Sequence, residues 1–100
     1  MKPDPISEEL KELRRKMDNI DEALVGYIVD RYRCAEDILA FKKKHNLPLH
    51  APEREWRIIQ RAVKEASLRG FSDAGFIRNL WFIFLGHPFT KYYQHHFWTE

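Results

Sequence analysis

From Ser7 to Leu47 the chain contains no proline, and apolar residues recur every three or four positions: Leu10, Leu13, Met17, Ile20, Leu24, Ile28, Ala35, Ile38 and Phe41. That spacing predicts one amphipathic helix of roughly 38 residues, close to ~60 Å long at 1.5 Å per residue. Ser7 reads as its N-cap, with Glu8 and Glu9 in the first turn and Lys42, Lys43 and Lys44 at the end, where the helix dipole favours anions and cations respectively. A chain of 100 residues cannot cover such a stripe with its own remaining half. Coiled-coil-like pairing with a second copy is therefore expected. Gly26 interrupts the helix at a cost of about 1 kcal/mol relative to alanine, and marks a place for close helix approach.

The rest of the chain divides at its own punctuation. Residues 1–6 read as a loose leader and residues 46–51 as a connector. Pro52 suits the first turn of a second helix running to about Arg69, with Glu55, Ile59, Ala62 and Ala66 inward, Trp56 and Val63 beside them, and Gly70 as the stop. Ser72 or Asp73 caps a third helix carrying Phe76, Ile77, Leu80, Trp81, Phe84 and Leu85. Gly86-His87-Pro88 ends or kinks it, because proline removes a helical hydrogen bond, and Phe89 to Trp98 can form a last short helix. The expected fold is all-α: a three-helix protomer with one very long N-terminal helix, in an intertwined helical dimer.

Composition excludes several function classes. With 44% apolar and 32% charged residues the chain reads as a soluble globular protein, and no run approaches the roughly 18 apolar residues of a membrane span. No apolar leader follows Met1, so the cytoplasm is the expected compartment. A net charge of +2 does not announce a nucleic-acid partner. Cys34 is the one cysteine, so no internal disulfide forms, and its apolar neighbours suggest a small core residue. The five histidines lack metal-ligand spacing; His95 and His96 point in different directions on any regular element, and neither a metal nor a cofactor is expected.

The anomaly is cations on an apolar seam. Arg31 stands where the stripe calls for an apolar residue, and Lys42 follows eleven residues later. Eleven residues at 100° each return to within about 20° of the same direction, so both cations share a face, roughly 16 Å apart, with Ala35 and Ile38 between them. Two long cationic arms over a small apolar floor suit a compact dianion, because a buried charge needs a compensating partner. Arg14 lies about 25 Å toward the N-terminus of the same helix, too far for its own chain's pocket but available to a partner's in an antiparallel dimer.

The segments Leu13-Arg14-Arg15-Lys16-Met17-Asp18-Asn19-Ile20-Asp21, Asp30-Arg31, Phe41-Lys42-Lys43 and Pro52-Glu53-Arg54-Glu55, in that order and spacing, resemble the successive signatures of the all-α chorismate mutase family over residues 8–70. The resemblance implies one domain over residues 1–100 and a homodimer whose two sites each borrow an arginine. It makes Arg14 the borrowed arginine, Arg31 a grip on a substrate carboxylate, and Lys42 the contact to a carboxylate and the ether oxygen. Glu55 then accepts the ring hydroxyl of chorismate, and Arg54 is a supporting arginine. The implied reaction is the rearrangement of chorismate to prephenate, which needs no cofactor.

Two regions depart from the family pattern, the N-cap of the second helix and the site side of the third. Ala51 stands where many mutases carry an aspartate, and Ala51-Pro52-Glu53-Arg54 is similar to the isochorismate pyruvate lyase branch, whereas Glu55 is mutase-like. The usual serine and glutamine of the third helix are missing. Aligning the apolar stripe places Pro88 and Tyr92 there, and a gapless count places His87 and Lys91, so either Lys91 or Tyr92 is the second donor to the ether oxygen. The alternatives are isochorismate pyruvate lyase, aminodeoxychorismate mutase, or a non-catalytic helical interaction module.

Overall fold

The structure is a computed structural model and describes residues 5–89. Among these residues the chain is all-α, with no strand: α1 spans Pro5–Lys44, α2 Pro52–Leu68 and α3 Ala74–Gly86, followed by a single 3-10 turn at His87–Phe89. None of these helices is long and apolar enough to cross a membrane. The chain divides at Cys34 and Ala35 into two units, each described by itself below.

The first unit consists of α1 up to Cys34. The helix begins at Pro5, two residues before the expected cap, so Ser7 lies in its first turn. Proline supplies the reason: its fixed φ suits the first helical position and its missing N–H is one the helix would leave unpaired there. Lys11 pairs with Glu8 at 3.4 Å and Arg15 with Glu12, both exposed one-turn pairs that stabilise the helix only slightly. The stripe Leu10, Leu13, Met17, Ile20, Leu24 and Ile28 is 39–58% exposed among the described residues. Among the described residues a Cβ at Gly26 would meet nothing within 4 Å, and no close approach there accounts for that glycine.

The second unit holds the end of α1 together with α2 and α3. Here Leu39 is buried (3% exposed), while Ile38 and Phe41 are half exposed or more. Ala35, Leu39 and Lys42 follow one another by four and three residues, so they form the inward face and the neighbouring positions turn outward. The same geometry corrects the reading of Cys34, which is exposed rather than in the core.

The turns are chemically legible. After Lys44, Asn46 adopts φ 54°, with Leu47 N–H donating to the Lys42 carbonyl (2.8 Å) and Asn46 N–H to that of Lys43 (3.3 Å). This left-handed cap satisfies the orphan carbonyls of the helix end. Gly70 repeats the device after α2 at φ 86°, with Phe71 N–H on the Ala66 carbonyl (2.9 Å). Of the two expected caps for α3, Asp73 is the one used: its Oδ1 accepts from Phe76 N–H at 3.1 Å. Helix α3 ends at Gly86, as Pro88 requires. The expected helix from Phe89 to Trp98 lies beyond the described residues after its first position.

Packing within the second unit is α2 against α3. Ile59 is buried, with Ala62, Val63 and Ala66 half-buried along its side, whereas Trp56 is 52% exposed. Trp81 meets Phe84 edge to face at 5.2 Å.

Candidate functional site

The C-terminal turn of α1, the connector and the first turn of α2 carry three polar side chains, Lys42, His50 and Glu55. Lys42 is half-buried, and its Nζ donates to the Leu49 carbonyl at 3.2 Å. An ammonium has three donors, so holding one carbonyl orients the group and leaves two for a ligand. The connector then passes through His50 and Ala51 into α2.

Ala51 is the N-cap of α2, with φ −133° and ψ 80°, and its methyl side chain makes no capping bond. Its carbonyl accepts from Glu55 N–H at 2.9 Å, and Pro52 sets the helix direction at the first turn. Glu55 is therefore carried on the fourth residue of α2, with a side chain 27% exposed. Its Oε1 lies 3.5 Å from His50 Nδ1. Sequence reading treated His50 only as a connector residue. The signal was its position: residues immediately before an N-cap and four residues into the helix are brought together by the same backbone geometry that forms a hydrophobic staple.

His50 and Glu55 line a groove of about 320 Å³ between α2 and α3, together with Pro52, Trp56, Ile59, Phe82, Leu85 and Gly86. The groove is mostly apolar with a few polar groups, the usual composition of a small-molecule site. A second groove of about 440 Å³ farther along α2 is lined by Trp56, Gln60, Lys64, Ser67, Leu68 and Arg78 among others.

The remaining sequence-predicted residues lie as follows. Arg54 is exposed on the first turn of α2, Ala51 is half-buried, and Ala35 is half-buried at the start of the second unit while Ile38 is exposed. In the first unit Arg14 is exposed and Arg31 half-buried. Burial lowers the pKa of the Arg31 guanidinium, with Cys34 partly opposing the shift. His87 is exposed and Pro88 buried in the turn after α3. Lys91 and Tyr92 lie outside the described residues. Lys42, Ala51 and Glu55 are thus tied together through one short connector.

Residues 13–85 match the family model described as chorismate mutase type II. The chain belongs to the chorismate mutase type II family. Its chorismate mutase-like sequence is 44% identical over 57 residues to the bifunctional chorismate mutase/prephenate dehydratase of Aquifex aeolicus, covering 57% of this chain and 16% of that protein. It is 37% identical over 57 residues to the chorismate mutase of Methanocaldococcus jannaschii, covering 57% of this chain and 58% of that one. A T-protein of Haemophilus influenzae is 35% identical over 65 residues, 65% of this chain and 17% of the relative. In each case the match spans less than two thirds of the relative's length. No solved structure matches the chain.

Proposed function

We propose that the chain is a chorismate mutase, converting chorismate to prephenate. The observation that carries this reading is the family match over residues 13–85 in a chain that retains every cation and the glutamate the resemblance assigns to the site: Arg14, Arg31, Lys42, Arg54 and Glu55. Three relatives support it, two of them named for this activity.

The reaction is an intramolecular rearrangement in which the ether carbon–oxygen bond breaks as a carbon–carbon bond forms, with no group gained or lost. A protein accelerates it by holding the reacting ends together and by placing positive charge where the ether oxygen becomes negative. In our reading Arg31 grips one carboxylate, and Arg14 of the partner subunit grips another. Lys42 supplies its ammonium to the ether oxygen, an assignment supported by its half-burial and its fixed orientation on the Leu49 carbonyl. Glu55 accepts the ring hydroxyl, and Arg54 supports the carboxylate grip. Ala35, Ile38 and Ala51 border the substrate, and Lys91 or Tyr92 adds the second donor to the ether oxygen.

The exposed α1 stripe supports a homodimer in this reading. A shared site gives that stripe a function as well as a partner, since the exposed Arg14 then acts in the second copy. We read residues 1–100 as one domain of this dimer. Mixing the purified chain with chorismate and following loss of chorismate and appearance of prephenate tests the proposal; absence of turnover at micromolar enzyme overturns it.

A further inference from the structure

We propose that His50 is a positioning residue for Glu55, holding the Oε1 edge of its carboxylate so that Oε2 faces the substrate hydroxyl. The inference rests on the mutase reading of Glu55. It adds a residue to which neither the resemblance nor the relatives assign a role.

Three observations carry it. His50 Nδ1 stands 3.5 Å from Glu55 Oε1, within ion-pair distance when the imidazole is protonated. The two residues occupy the staple positions either side of the α2 N-terminus, where hydrophobic pairs usually sit, so the backbone holds them together whichever rotamers their neighbours adopt. Between them, Ala51 makes no side-chain bond to the helix end, so no polar side chain at the N-cap competes with His50 for orienting Glu55.

The surroundings give the contact consequence. Glu55 is half-buried (27% exposed) in a groove that Trp56, Ile59, Phe82 and Leu85 also line, while His50 is half exposed. A carboxylate there can rotate its two oxygens between groove and solvent, and a fixed partner on one oxygen removes that freedom. The hydroxyl of the bound substrate then meets a preset acceptor. The contribution is one of orientation and does not require His50 to touch substrate.

A double-mutant cycle on the full chain, with chorismate as substrate, decides it. His50→Leu is expected to lower kcat/KM about 5- to 20-fold, mainly through KM, with helical content and unfolding midpoint preserved. His50→Asn, whose amide nitrogen can take the place of Nδ1, recovers most of the loss. In the Glu55→Gln background, His50→Leu has little further effect. The ring nitrogen resonances of His50 also move on Glu55→Gln substitution, a readout that does not need turnover. Wild-type kcat/KM in His50→Leu, or an equal loss in both backgrounds, overturns the assignment of His50 alone. No turnover by the unsubstituted chain overturns the mutase reading and this inference with it.

Discussion

The Lys42 ammonium donates to the carbonyl of Leu49 across 3.2 Å, bridging the last turn of α1 and the connector that leads into α2. Seven residues separate them, and the left-handed Asn46 is what turns the chain back far enough for them to meet. The contact fixes one end of a flexible four-carbon side chain before any substrate arrives. A preset cation costs no reorganisation at the moment charge develops, which is the property electrostatic catalysis requires.

Lys42→Met should therefore cost kcat on the order of 10²–10³-fold, the range seen when a single oriented donor to a developing anion is removed. The fold should survive, because the lost contact is one hydrogen bond worth about 1 kcal/mol. Steady-state kinetics beside a thermal melt separates the two. Near-normal kcat in a folded variant would remove Lys42 from the ether oxygen.

Gly70 holds φ 86° at the end of α2, and a Cβ added there meets no atom within 4 Å. The cost of Gly70→Ala is thus purely that of the left-handed backbone, about 1–2 kcal/mol, measured as a lower urea midpoint at unchanged slope. An unchanged midpoint would mean that the α2–α3 turn relaxes to another geometry. Asn46 occupies the same conformation as a non-glycine residue, a role asparagine tolerates better than most.

Much of this architecture was legible in the sequence, because helix punctuation is local chemistry. Pro52, Gly70 and the Gly86-His87-Pro88 break fall where they were expected, and the third helix ends on the residue before His87. The start of α1 was misplaced since proline at position 5 is as good a beginning as serine at position 7. Inward residues were harder. Leu39 and Ile38 are adjacent, equally apolar, and differ by 100° in direction, so the stripe alone does not choose between them; the structure buries Leu39. Cys34 was misread for the same reason. Lys42 is singled out by its spacing from Arg31 and Glu55 by the family resemblance, whereas His50 needs the geometry of the N-terminal turn to appear as the neighbour of Glu55.

The uncovered stripe of α1 predicts self-association. Sedimentation at micromolar concentration should give a dimer, and dilution should unfold the chain as it dissociates, because the folded state depends on the partner. A stable, compact monomer that keeps its helical content would contradict the proposed shared site and the role proposed for Arg14 in it.

The most direct test of the central claim is a parallel assay of the purified chain on chorismate and isochorismate. Chorismate should be consumed with prephenate as the product and no pyruvate released, as the proposed role of Glu55 on the ring hydroxyl requires; isochorismate should yield little pyruvate or salicylate. Efficient release of pyruvate and salicylate from isochorismate, with chorismate left untouched, would contradict the account.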